Sequence, residues 1–555
     1  MTRDTGGISR WTRGELAGST DPQPDQETGR GEAHGLSCAC GRDIGDPGSL
    51  RCWVAPGVRV IESGASAWIV ALSPLRIWQV RPPALLLLER CREGHTLGEA
   101  VATVPSLRPE AALRFLERLA ENGVVHFEPA LTRGDLPSVS VVIPVRNRPR
   151  AIDACLAAIA RLDYPRDRLE VIVVDDASTD ETPSTVERWA ARLPLRLIRM
   201  SSPSGPSACR NRGAAEARGE VLAFTDSDCL PEPAWLLNLI PELSIPRVVA
   251  AGGAVLPAAE ESWLQRYEAV RSPLYHGRRR AVVRPRSPVP YLVTANLIIR
   301  RCCFLAAGGF AEIHPGEDVD LIWRLCAGGA RVHYRPDGVI RHDHRDRLWP
   351  FMRRRAAYAG SEAVLLQRHP DNGRYLVVPM ALVLGVVWTL VNITARRRRP
   401  WFGLALPAAE LALAAWKVRG DGVPVETRAV LGALLRGYGA FLYWSAVNVG
   451  RYYAVPLLGF SFAARPPGLR RALGIALGVC LLGPAIVDWL RFRPRLSLAG
   501  FALAHVLDAL AYHLGSLVAC ARYRTLRPLR LDLVAQWPVL WAPSISSDAT
   551  RQGRR

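Results

Sequence analysis

The chain of 555 residues sets 71 Lys and Arg against 51 Asp and Glu, a formal charge of +20, while 49% of it is apolar. That charge suits the anionic inner leaflet of a membrane and, without a basic helical stripe, gives no argument for a nucleic-acid partner. The 12 cysteines include no C-x-x-C pair, so nothing requires a disulfide framework.

Residues 1–52 are rich in Gly, Asp, Thr and Gln and poor in apolar positions, a composition that predicts disorder. They hold no signal-peptide core, so the chain is expected to begin in the cytoplasm. Cys38, Cys40 and Cys52 lack a fourth ligand for zinc and read as free thiols. A small winged-helix-like module is expected over 56–130. Its segments 67–71 and 75–80 read as extended, 83–91, 97–104 and 109–123 as helical, and 124–127 as a closing strand. A winged helix raises nucleic-acid binding, but the last helix is mixed in charge.

Between 137 and 370 the pattern is α/β. A buried strand at 139–145, a helix at 152–159 and a second strand at 171–174 open a βαβ unit. Asp175 and Asp176 therefore fall at a strand's carboxyl end, where open α/β sheets bind ligands. Asp175 is the first candidate to accept a nucleobase N–H and Asp176 the alternate; a turn that caps the next helix is the plainer use of the pair. The loop 201–207, rich in Gly, Pro and Ser, lacks the P-loop pattern. Arg210 or Arg212 behind it would reach a phosphate or simply face solvent. The apolar run 221–224 then ends in Asp226-Ser227-Asp228. Two carboxylates there suit a divalent cation, Mg²⁺ or Mn²⁺, whose shell is completed by substrate phosphates. Asp228 is the first choice of ligand, with Asp226 on a ribose hydroxyl or a water-mediated metal contact.

Gly308-Gly309-Phe310 offers an acceptor a close approach. Glu317-Asp318 opens an apolar stripe at helical spacing, with Asp318 the candidate general base and Glu317 its neighbour. The alternative is that both only favour a helix N-terminus. His342 and His344, at i and i+2 after a short strand, would face one way and suit a metal or a departing phosphate, or be surface histidines.

Past 370 the chain is apolar with interruptions. Residues 375–395 are uncharged and long enough for a bilayer core, which needs about 20 residues; 472–490 is a second candidate. Segments 401–416, 430–449 and 496–519 rank lower because of Glu410, Arg436, His505 and Asp508, and read as interfacial or bundle helices. A hydrophobic helical membrane region is thus expected over 371–525, with a tail at 526–555. The four arginines at 396–399 sit awkwardly if residues 1–370 are inside and 375–395 is a simple span.

The runs VSVVIPVRNRP (139–149), VIVVDDASTD (171–180), ACRNRG (208–213), VLAFTDSDC (221–229), TANLIIRR (294–301), GGF (308–310) and GEDVDLIWRL (316–325) together resemble a family 2 inverting glycosyltransferase over about 138–345. The resemblance implies a GT-A fold, the Rossmann-like fold of nucleotide-diphospho-sugar transferases, with a UDP-sugar donor and Mg²⁺ or Mn²⁺. It puts uridine recognition on Asp175, metal and ribose contacts on Asp226 and Asp228, and the base on Asp318. No Q-x-x-R-W pentapeptide follows Asp318, unlike the processive members, so one or a few sugars per encounter are expected. The module, through Leu113, Leu116, Leu119, Gly123 and Val124, resembles the PqqD-like peptide-recognition domains.

Taken in this order, the three regions resemble the glycosyltransferases of mycofactocin systems. That implies transfer of glucose to a peptide-derived small-molecule acceptor, a redox cofactor or its precursor, at the cell membrane with the catalytic domain on the cytoplasmic side. Assembly of a lipid-linked or cell-wall glycan is one alternative. A peptide-binding scaffold with an inactive transferase domain is the other. Because all three acidic positions precede residue 370, a chain cut there is expected to leave the membrane with much of its chemistry intact.

Overall fold

The computed structural model describes residues 47–63, 66–72, 75–129, 131–394, 400–420, 425–463 and 465–536. The stretch 1–46 with Cys38 and Cys40, the arginines at 396–399 and the tail beyond 536 lie outside the described residues.

An eight-stranded mixed sheet forms the core. Across it run Ala281–Val283, Arg331–Tyr334, Val248–Gly252, Leu297–Arg300, Val221–Phe224, Val139–Val145, Leu169–Asp175 and Leu195–Arg199. The last four pair in parallel, so their carboxyl ends share one edge. The inner ones are near-continuous apolar runs, as strands covered on both faces require. Alternate residues divide between the two faces. Val141, Ile143, Val171 and Val173 enter one core with helix Pro149–Ile159, while Val142, Ile172 and Val174 enter the other with helix Pro206–Glu216. A Cβ on Gly213 would lie 2.5 Å from a Val142 methyl, so glycine lets this helix sit close to the sheet. That depth is what buries Arg210.

A second sheet of three strands joins Cys229–Pro231, Ile340–His342 and Val255–Pro257. Its register sets Cys229 opposite His342, and so carries the end of the acidic turn to a histidine far along the chain.

In the N-terminal module, Val58–Ser63, Ser66–Leu72 and Leu75–Val80 make an antiparallel sheet. Helices Pro82–Arg92, Leu97–Ala102 and Pro109–Glu121 follow, and Val125–Glu128 pairs with Arg51–Val54. The strands Arg51–Val54 and Val58–Ser63 have no counterpart in the sequence reading. Glu117 and Glu121 of the last helix meet Arg331 of the central sheet at 2.8 and 3.2 Å, so its mixed charge serves an internal contact. Trp68, Val70 and Ile77 of the module pack on Ala414, Val418 and Val430 of the tail.

Among the described residues four helices, Trp401–Gly420, Thr427–Ala463, Pro467–Phe492 and Leu498–Arg522, are long and apolar enough to cross a membrane. The reading of 375–395 as a span is corrected. Tyr375–Pro379 is a strand paired in parallel with Asp532–Gln536, and the helix that follows, Met380–Thr394, has only 15 residues. Val377, Val378 and Pro379 favour extended chain over helix, which a window of apolar residues cannot sense. The three segments ranked lower for their charges qualify by length and hydropathy, and neighbours bond those charges. Glu410 accepts a hydrogen bond from Tyr438 at 2.5 Å, Arg436 donates to the Leu72 carbonyl at 3.1 Å, and Asp508 accepts from Tyr267 at 2.9 Å. Buried ion pairs also lock the tail to the transferase region: Arg355 meets Asp508 at 3.2 Å, and Arg271 meets Asp488 at 3.2 Å.

Candidate active site

A cavity of about 790 Å³ opens at the carboxyl ends of the parallel strands. Asp176, Arg210, Asp226, Asp228, Asp318 and His342 all line it. Asp175 is 0% exposed and is absent from the cavity wall; its carboxylate accepts the Ser178 N–H at 3.3 Å and lies 3.8 Å from Arg199. Asp176 reaches the wall, and its two oxygens take the N–H groups of Ser204 at 2.6 Å and Gly205 at 3.0 Å. The loop 201–207 is thereby pinned over the strand end.

Arg210 is 3% exposed and bridges two carboxylates, Asp226 at 2.5 Å and Glu317 at 2.9 Å. One cation thus joins helix Pro206–Glu216, the acidic turn and helix Glu317–Ala327. Arg212 points outward to Glu216 at 2.9 Å. Gly316, at φ 117°, turns the chain into the first helical turn, where the helix dipole favours carboxylates. Burial works to raise the Glu317 carboxyl, but the hydrogen bond with His314 at 3.2 Å and the charge of Arg210 outweigh it and hold it at about 2. The next residue goes the other way. Burial first, and the charge of Glu317 second, push Asp318 up to about 7. Adjacent carboxyls are thus driven apart, one fixed as an anion and one poised to take a proton near neutrality.

Asp228, Cys229 and His342 bring ligand atoms within 4.8 Å of one another. Burial above all pushes the Cys229 thiol well above its usual range, so it stays protonated. The Asp228 carboxylate and the His342 imidazole are the donors that fit a divalent cation. His342 Nδ1 is buried without a hydrogen-bond partner among the described residues, and Nε2 lies 3.6 Å from Asp228. A histidine ring with an idle nitrogen beside a carboxylate is a chemically sound donor set. Arg148 also meets Asp228, at 2.8 Å.

His344 stands apart from that cluster. Its ring centroid is 5.0 Å from that of His342, but Nδ1 faces Glu268 at 4.0 Å, and burial lowers the imidazole to about 3. Gly308-Gly309-Phe310 lies off the cavity wall, which corrects its reading as an acceptor approach. Asn211 brackets that turn, bonding the Phe310 N–H at 2.9 Å and its carbonyl at 2.8 Å.

Arg148, His314, Arg354, Arg451 and Tyr512 also line the cavity without having been singled out from the sequence. Arg148 carried a signal, since it follows the strand Val139–Val145 at the same carboxyl edge as the aspartates. Arg451 and Tyr512 carried none. Both belong to the tail, so a cut after 370 opens the cavity and does not spare the whole site.

Residues 140–302 match Glycosyl transferase family 2. The Pre-mycofactocin glycosyltransferase of Mycobacterium tuberculosis is 31% identical over 485 residues, covering 85% of this chain and 95% of that protein. Glycosyltransferase AglE of Haloferax volcanii is 36% identical over 121 residues, 22% of this chain and 40% of its own length. Among solved structures, the mannosyltransferase PcManGT from Pyrobaculum calidifontis, in complex with GDP-Man and Mn²⁺, aligns over 56% of this chain and 89% of its own at 23% identity and a TM-score of 0.35. By the length of the first match and the position of the family segment, the chain is a glycosyltransferase of GT-A fold that belongs to glycosyl transferase family 2 and, within it, to the family of pre-mycofactocin glycosyltransferase.

Proposed function

We propose that the chain transfers a sugar, glucose, from a UDP-sugar to a hydroxyl of a peptide-derived small molecule, a redox cofactor or its precursor, with inversion at the anomeric carbon. The observation that carries this reading is the division of labour between neighbours in one cavity, Glu317 locked on Arg210 and Asp318 raised to about 7. Asp318 takes the proton of the acceptor hydroxyl as that oxygen bonds the anomeric carbon and the UDP oxygen departs from the opposite face. Asp228 and His342 would hold a Mg²⁺ or Mn²⁺ ion. When bound, the ion supplies positive charge against the departing diphosphate. Asp226, steadied by Arg210, is the candidate for the ribose. Between the two candidates for the uracil N–H, exposure to the cavity favours Asp176, with Asp175 holding the turn beneath it.

The relative that spans most of the chain supports the acceptor class, and the four apolar helices support a membrane location, with the catalytic domain on the cytoplasmic side where UDP-sugars are made. The N-terminal module, read as PqqD-like, engages the acceptor. The test is to incubate the purified full chain with candidate UDP-sugars, Mg²⁺ or Mn²⁺ and a metabolite extract, and to follow mass gains in soluble and lipid fractions. A hexose gained by a soluble peptide-derived compound supports the proposal. A gain confined to lipid transfers the assignment to a lipid-linked glycan, and no gain with any UDP-sugar removes it.

A further inference from the structure

The tail presents its apolar surface in stripes. In helix Pro467–Phe492, Ile475, Val479, Leu482, Ile486 and Leu490 are all exposed, spaced at three and four residues, while Leu477, Pro484, Ala485 and Asp488 are buried on the opposite side. Leu503, Leu514 and Val518 are exposed in helix Leu498–Arg522, and Leu406, Leu413 and Trp416 in Trp401–Gly420. Apolar surface this extensive needs a cover.

A bilayer crossed by these helices would provide one, but contacts along their lengths hold them back. Helix Leu498–Arg522 runs beside the cavity-lining helix Leu348–Arg368 from end to end. Phe501 packs with Phe351, Asp508 pairs with Arg355 at 3.2 Å, the Tyr512 hydroxyl bonds Glu362, and the Tyr523 carbonyl accepts from Gln367 at 3.2 Å. In Thr427–Ala463, Val430 packs on the N-terminal module, Arg436 donates to the Leu72 carbonyl, Tyr443 accepts from Arg271 at 2.8 Å and Tyr452 donates to Glu362 at 2.8 Å. Ala414 and Val418 fix Trp401–Gly420 to the same module. Pro467–Phe492 is held by Asp488 on Arg271, and its Leu481 packs beside Gly450, next to the cavity-lining Arg451. At most about 14 residues of any one helix are left clear of the water-facing regions, about 21 Å at 1.5 Å per residue. A bilayer core is about 30 Å thick and takes about 20 residues.

The charges agree with the lengths. Arg470 and Arg471 stand exposed near the start of Pro467–Phe492, and Arg491, Arg493 and Arg495 stand exposed at its end; the one acid between 465 and 500 is the buried Asp488. A crossing helix would send one of these clusters to the far side, whereas basic clusters keep to the cytoplasmic side and its anionic headgroups. A helix lying in the interface keeps both there. Trp349, Trp401 and Trp416, each at least 70% exposed, are of the residue type that settles at headgroup level.

We propose that none of the four helices crosses the membrane: they lie along the cytoplasmic leaflet, with their outward stripes sunk in the acyl chains and the arginines at both ends of Pro467–Phe492 among the headgroups. The partner is thus a single leaflet, and both ends of that helix stay on the side of the cavity. This rests on the membrane location proposed above and adds its topology.

The full chain is made in bacterial cells with Gly468→Cys or Ser497→Cys, one at each end of Pro467–Phe492, and spheroplasts are treated with a membrane-impermeant maleimide. A Cβ at 468 meets nothing within 4 Å, and Ser497 is exposed. Neither cysteine is expected to take label above the wild-type level in spheroplasts, and both are expected to take it in inside-out vesicles. Label on one of them from outside shows that the helix crosses and overturns the proposal. Label on both from outside, or on neither in vesicles, overturns it as well. The wild-type chain answers without a variant: trypsin outside spheroplasts should leave it whole, and a cut there after Arg470, Arg471, Arg491 or Arg495 overturns the proposal. Recovery of the chain in the soluble fraction would remove the membrane location itself, with a dimer in that fraction making a second copy the cover of the stripes. No arm reads sugar transfer, so the glycosyl-transfer reading stands or falls separately.

Discussion

The two ends of the cavity are built on different principles. At the acidic end, Asp176, Asp226 and Asp228 stand at the ends of sheet strands, each placed by the apolar run that precedes it, and Arg210 binds the turn to the helix of Asp318. Facing them, the wall comes from helix Leu348–Arg368 and from Arg451 and Tyr512 in the tail, which buried ion pairs and the packing of Tyr267 and Phe351 on Phe501 and Ala504 hold against the transferase region. Reactive groups can thus be set by local structure, while the facing wall of the same cavity is set by long-range packing. Substitutions at the strand ends and in the tail should therefore have different effects.

Asp318 should give the largest effect. Asp318→Asn keeps the size of the side chain and removes proton acceptance. Turnover should fall by about 100- to 10,000-fold, the range for a lost general base, with UDP affinity nearly unchanged by calorimetry. Near-normal turnover would return Asp318 to a helix-capping role. Arg210→Met comes next. It leaves Glu317 and Asp226 without their shared cation, and removal of one partner from a buried pair costs about 3–5 kcal/mol. A clear drop in Tm, with transfer falling alongside it, is expected; an unchanged Tm means that the clamp does not join the two helices.

A smaller and more selective change is expected at the acidic end. Asp228→Asn should raise the Mg²⁺ or Mn²⁺ concentration for half-maximal transfer by about tenfold or more and weaken UDP binding, as loss of a charged oxygen donor implies. Wild-type metal dependence in this variant would exclude Asp228 as a ligand. The mildest probe is pH. A carboxyl at about 7 is protonated below that value and cannot accept a proton, so kcat/KM should fall about tenfold for each pH unit below 7 and level off above it. A flat profile between about pH 5 and 8 would show that Asp318 does not set the rate.

Much of the acidic end was legible in the sequence, for a physical reason. The runs Val171-Ile172-Val173-Val174 and Val221-Leu222-Ala223-Phe224 announce buried strands, and carboxylates just beyond a buried strand fall at the ligand-binding edge of an open sheet. Which of two neighbours faces the cavity was not legible, because Asp175 and Asp176 differ only in which side of the strand end each takes. The pairing of Asp228 with His342 depends on a strand register between distant segments, and the separation of His342 from His344 depends on Glu268. Membrane spans were misjudged in both directions. Residues 375–395 satisfy a length rule, yet the chain divides at Pro379 into strand and helix. Glu410 and Arg436 argued against spans from a sequence that could not show Tyr438 or the Leu72 carbonyl beside them.

The central claim is that Asp318 drives a single displacement at the anomeric carbon. The most direct test is the anomeric proton coupling of the product, measured by NMR after transfer from an α-linked UDP-sugar by the full chain. One displacement with Asp318 as base predicts a β-linked sugar in the first product formed. An α-linked product would contradict it.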